Sequence, residues 1–86
     1  VANHKSAIKR IKQNAKQRTH HRHFRATMRT QLKSTRAAIE DGNAENAKVE
    51  LNKATAIVQR LVTKGIIHRH QAARRISRLA KAVNAL

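Results

Sequence analysis

Lys5, Lys9, Lys12 and Lys16 recur at spacings of four, three and four, and Arg18, Arg22, Arg25, Arg29 and Arg36 keep the same rhythm one face over. Residues three and four apart share a helix face, so each set makes a basic row. Such rows suit one chemistry: neutralising the phosphates of a polyanion that lies alongside. A merely solvated charged face would carry interspersed Glu for i,i+4 pairing, yet no acid occurs from Val1 to Ile39. Phosphate binding is therefore the favoured reading.

The other reactive residues point to no second chemistry. His20, His21 and His23 stand at i, i+1 and i+3, which is not one helix face, and His68 and His70 come from another element. No cysteine or nearby carboxylate completes a shell, so no metal site is expected. The histidines are read as polar contacts to phosphate. Glu40, Asp41, Glu45 and Glu50 surround a tight turn with no pocket-forming sequence about them, so a two-carboxylate catalytic site is rejected. Ser6 and Ser77 belong to no nucleophile–base–acid pattern in the sequence. Gly42 and Gly65 are helix punctuation, not a phosphate-cradling loop. No enzyme, cofactor or small-molecule substrate is expected. Phe24 is the one aromatic residue. Base stacking therefore cannot dominate, and recognition should rest on phosphates, 2′-hydroxyls and folded shape.

The chain has 86 residues, a formal net charge of +16, 40% hydrophobic residues and no cysteine. Eleven cations and no acid fall in residues 1–39, all four acids fall in residues 40–50, and eight cations and no acid follow in 51–86. A chain this charged repels itself, and nucleic acid is the natural neutralising partner. Disulfides are excluded. With no secretory or long apolar segment, a soluble, cytoplasmic protein is the default expectation. Membrane-surface helices want Trp, Phe and Leu on the apolar face, whereas the N-terminal stretch offers Ile8 and Ile11. No membrane partner and no homo-oligomer are expected.

Three helices must position these rows. The first runs from an Asn3 N-cap to about Asp41, with Gly42 beyond its end. Phe24, Met28, Leu32, Thr35 and Ile39 form its core seam. Ile8, Ile11 and Ala15 form a separate stripe ~130° around the cylinder at ~100° per residue, and residues 16–23 contain nothing apolar. The second helix runs from about Ala44 to Thr63, capped by Asn43, with Ala47, Leu51, Ala54, Val58 and Leu61 as its seam. The third spans about Arg69 to Asn84. Ala72, Ile76, Leu79, Val83 and Leu86 form its seam, and Arg74, Arg75, Arg78 and Lys81 take the other faces. Short loops make the helices antiparallel neighbours. At ~1.5 Å per residue the second helix returns along the first only to residues 20–24. The expectation is an all-α, antiparallel three-helix bundle whose first helix extends well beyond it. One domain comprises a basic arm (1–23) and the bundle (24–86). The core comprises Phe24, Met28, Leu32, Ile39, Leu51, Val58, Leu61, Ile76, Leu79 and Val83. The histidines should gather at one end of the bundle and the acidic turn at the other, facing solvent or a neighbour.

Four segments together resemble the bacterial small-subunit ribosomal protein S20 family. They are Asn3-His4-Lys5-Ser6-Ala7-Ile8-Lys9-Arg10, then Ala37-Ala38-Ile39-Glu40 with Gly42, then Lys64-Gly65-Ile66-Ile67-His68, then Ala72-Ala73-Arg74 with Ser77-Arg78-Leu79-Ala80. The resemblance covers essentially the whole chain. It implies a structural constituent of the small ribosomal subunit without catalytic activity, which binds 16S rRNA in its 5′ domain and contacts the long 3′ minor-domain helix. It implies RNA contact by Asn3, His4, Lys5, Ser6, Lys9, Arg10, Lys64, His68, Arg74 and Arg78. Spacing alone extends the set to Lys12, Lys16, Arg18, Arg22, Arg25 and Arg29, and Arg75 joins the basic face of the third helix. The chain departs from the family pattern at His70, where asparagine is usual, and at Ile76, where a basic residue is usual. The competing reading is a nucleoid or histone-like DNA-binding protein. Against it, the sequence offers no strand pair for the minor groove and no helix-turn-helix spacing.

Overall fold

A computed structural model describes residues 5–86. Asn3 and His4, including the expected N-cap, lie outside the described residues. Three α-helices follow in order: α1 (Lys5–Glu40), α2 (Ala44–Thr63) and α3 (Arg69–Asn84). There is no strand among the described residues. The bundle with one overlong helix is the architecture expected from the sequence.

Glycine-free and proline-free sequence lets α1 run for 36 residues. Gly42 (φ 72°) ends it in the left-handed conformation, donating its N–H to Ile39 O at 3.1 Å. Asn43 then caps α2, its side chain accepting from Asn46 N at 3.1 Å. The other end of α2 closes in a Schellman motif: Ile66 N donates to Leu61 O at 2.9 Å and Gly65 N to Val62 O at 3.0 Å. The motif requires the left-handed φ of 76° at Gly65, and it turns Ile66 back onto the core beside Leu61. Ile66, read from sequence as part of a connection, is thus a core residue.

The main core joins Met28 and Leu32 of α1, Ala54, Val58 and Leu61 of α2, Ile66, and Ala72 and Leu79 of α3. A smaller cluster at the opposite end unites Ala38, Ala47 and Val83. Phe24, Ile39, Leu51 and Ile76, expected inside, are only half-buried and pack around these clusters. The bundle is too thin to enclose them. Leu86, expected on the third seam, is 46% exposed because it lies beyond the last turn of α3.

Thr35 is fully buried in the α1 seam. Its hydroxyl is satisfied by Gln31 O at 2.9 Å and Glu50 O at 3.2 Å. Gln31 also donates to the Glu50 carboxylate at 2.7 Å. Glu50 is therefore a polar latch between α1 and α2, not a solvent-facing member of the acidic turn. Glu40, Asp41 and Glu45 do remain exposed.

Packing is most extensive between α1 and α2, less between α2 and α3, and least between α1 and α3. The molecule measures 59 × 21 × 15 Å, with a radius of gyration of 17.4 Å. A compact chain of this length would have about 12 Å. The excess reflects the part of α1 that has no helix beside it.

Candidate nucleic-acid interface

Helix geometry separates the two basic rows. At ~100° per residue, the lysine row of the first half of α1 lies ~140° around the cylinder from the arginine row. Lys5, Ser6, Lys9, Arg10, Lys12 and Lys16 are all exposed, as are Arg18, Arg22, Arg25 and Arg29. Ile8 and Ile11 are 43% and 60% exposed, so the N-terminal stripe meets no partner within the chain. The first turn of α1 holds no acid and the last turn no base. That arrangement opposes the helix dipole and favours an external anion near the N-terminal end.

The arginine row is shaped differently. Arg18, Arg22, Arg25 and Arg29 line a shallow depression of about 520 Å³ along α1, together with Asn14, Gln17 and His21. The row borders the core seam, so it continues into the space between α1 and α3. There Arg25, Arg29 and Arg36 face Gln71 and Arg75 of α3 across a groove of about 390 Å³. The groove continues toward the acidic end, where Arg74 and Arg78 join Arg36 and Arg75, and Glu40 also lines the wall. Six arginines from two helices are thereby brought together, while the lysine row stays apart from them.

Three expected contact residues also hold the fold. Arg25 Nη2 donates to Ile66 O at 3.4 Å, tying α1 to the α2–α3 connection. Lys64 Nζ sits 4.9 Å from the centroid of the Phe24 ring, a cation–π contact. His20 and His23 meet the same ring edge-on at 5.3 and 5.6 Å. His68 is the N-cap of α3, its Nδ1 accepting from His70 N at 3.1 Å. The two rings of His68 and His70 stack at 4.8 Å. His68 Nε2 therefore carries whatever outward polar contact this residue makes.

Charge compensation is almost absent. The Lys53–Glu50 pair at 3.6 Å is the one salt bridge among the described residues. Arg75 is the extreme case: its Nε is buried and has no hydrogen-bond partner. A buried, unsatisfied donor costs roughly 1–3 kcal/mol. Sequence places Arg36 in the arginine row but not in the RNA-contact set, and does not single out Gln71 at all. Arg36 continues the arginine row seven positions beyond Arg29, a signal that was available. Gln71 is visible only once α3 is set beside α1.

Comparison with known proteins names the family of this elongated, acid-poor helical chain. The family model for ribosomal protein S20 matches residues 2–84. The chain belongs to the ribosomal protein S20 family. It is 48% identical over its whole length to the small ribosomal subunit protein bS20 of Pelobacter propionicus, covering 99% of that protein. It is 49% identical to its counterpart in Vibrio atlanticus, with both chains covered completely. Identity to the Geobacter sulfurreducens protein is 45% over 86 residues, which is 99% of that chain. Members of the S20 family are constituents of the small ribosomal subunit and are structural rather than enzymatic. No helix among the described residues is long and apolar enough to cross a membrane.

Proposed function

We propose that this chain binds 16S rRNA within the small ribosomal subunit in the bacterial cytoplasm and helps fold that RNA during assembly. The supporting observation is the uncompensated arginine row of α1, which runs from the α1–α3 groove onto a helical segment with no helix beside it. A polyanion is what such a surface lacks. The scarcity of aromatic residues directs contact toward backbone phosphate, 2′-hydroxyl and RNA shape.

Residues 1–23 act as an arm and residues 24–86 as the bundle that carries it, within one domain. The arm is polar nearly all round, and such a helix is marginal without a partner. Its helix is stabilised on RNA, a coupling of folding to binding. Lys5, Ser6, Lys9, Arg10, Lys12 and Lys16 serve this arm. Lys64 and His68 act at the histidine end, and Arg74, Arg75 and Arg78 on α3. Asn3 and His4 fall outside the described residues and remain assigned by family resemblance.

Competition at fixed salt between a folded 16S rRNA 5′-domain transcript and duplex DNA of equal length tests the reading. Preference for the transcript is expected. Equal affinity would support a nucleoid-type DNA-binding role instead.

A further inference from the structure

The arginines between α1 and α3 make a site more specific than a basic face, and the inference drawn from them rests on the rRNA reading above. The groove has two stretches, of about 550 and 390 Å³. Both are lined by the same central residues: Leu32 and Arg36 from α1, Gln71 and Arg75 from α3. Leu32 is 2% exposed and forms an apolar floor. Above it stand two guanidinium groups and one carboxamide. Glu40 lines only the stretch toward the acidic turn, and no carboxylate lines the other. Arg75 Nε is buried with its N–H unpaired.

We propose that this groove is a phosphodiester clamp, in which one backbone phosphate of the bound RNA is held between Arg36 of α1 and Arg75 of α3. A guanidinium presents its donors as a planar fork that matches phosphate oxygens. Arg75 has no carboxylate partner to displace. Glu40 repels an anion from one end, which places the phosphate at the shared centre and directs the strand toward Arg25 and Arg29. From there the arginine row continues along α1 to Arg18, so the ligand is a long repeating anion and not a single ion. Because its two arginines come from different helices, the clamp also joins the least-packed helix pair of the bundle.

The test uses the full chain with Arg75→Met, Arg75→Lys and Arg36→Met, and Arg60→Met on the exposed face of α2 as the charge-matched control. Affinity for the 5′-domain transcript is measured across a salt series. The Arg Nε–H resonances are followed by NMR as transcript, or poly-glutamate of equal charge, is added. Arg75→Met and Arg36→Met should each weaken binding about tenfold or more. Each should also lower the salt slope by about 0.7–0.9, the loss of one phosphate contact. Arg75→Lys should keep most of the slope yet lose affinity, because an ammonium lacks the fork. The Arg75 Nε–H resonance should move with RNA and not with poly-glutamate. Free Arg75→Met should melt no lower than wild type, which separates a lost contact from a lost fold. Binding by Arg75→Met equal to that of Arg60→Met, or an Arg75 resonance unmoved at saturating RNA, overturns the clamp alone. An equal response to poly-glutamate overturns its phosphate specificity. Absence of wild-type binding to the transcript overturns the clamp and the rRNA reading together.

Discussion

Lys9→Glu and Leu79→Ala should separate RNA binding from stability in opposite directions. Leu79 is 8% exposed and belongs to the main core. Burying a leucine and then truncating it to alanine costs roughly 2–5 kcal/mol. Leu79 also lines the open α1–α3 groove, so truncation widens a recess instead of sealing a void. That places the cost in the lower half of the range, about 2–3 kcal/mol. In a domain of this size each kcal/mol lowers Tm by ~4–8 °C, giving a fall of at least ~8 °C. Lys9 is exposed on a turn of α1 that no other helix covers. Its reversal should change stability by no more than about 0.5 kcal/mol. A carboxylate at position 9 stands at helical spacing from Lys5 and Lys12 and should pair with them. On RNA the order inverts: Lys9→Glu removes a phosphate contact and flattens the salt dependence by about 0.7–0.9 in slope, while Leu79→Ala leaves the slope unchanged wherever the variant remains folded. Calorimetry and filter binding across a salt series read the two quantities. A Tm loss for Lys9→Glu as large as that for Leu79→Ala would refute the division into arm and bundle.

Gly65→Ala isolates backbone strain, since an added Cβ at this position meets nothing within 4 Å. The left-handed φ should then lower stability by about 1–2 kcal/mol, measured by urea unfolding, and an unchanged midpoint would show that the Schellman turn relaxes freely. Helicity by circular dichroism should rise when the 5′-domain transcript is added, by up to roughly the contribution of residues 5–23; no rise at saturating transcript would contradict coupled folding. Added salt should raise the Tm of the free protein by screening its self-repulsion while weakening RNA binding, and a Tm that falls between 0.05 and 0.5 M salt would show that self-repulsion is not limiting.

The helices were legible because their punctuation is local. Gly42, Asn43 and Gly65 fix the two turns through φ and capping, which depend on a few neighbouring residues. The seam of the second half of α1 was legible for the same reason: Met28, Leu32 and Thr35 recur at helical spacing and are buried. What the sequence obscured depends on distance between elements. Phe24 and Ile76 look like core residues by hydrophobicity, but a narrow bundle leaves them at its rim. Glu50 looks like one more acid of the turn until Gln31 is set opposite it. The basic rows were visible as spacing, but the meeting of Arg36 and Arg75 across a groove depends on how far α1 and α3 stand apart. No one-dimensional pattern records that distance.

The separation of α1 and α3 has an electrostatic cause that also explains the order of packing. α1 carries eleven Lys and Arg against one Glu, and α3 carries five against no acid. α2 carries three against two. The nearly neutral helix is the one that packs extensively on both others, and the two cationic helices share the smallest contact. Alanines at Ala38, Ala47 and Ala54 let α1 and α2 approach closely, whereas the groove left between α1 and α3 is lined by arginines from both helices. Closing that interface with protein alone would desolvate like charges at a loss. An anion placed between them reverses the sign of the interaction. On the proposed rRNA reading, the arginines that line this groove draw it together around RNA, at the least-packed helix pair of the fold.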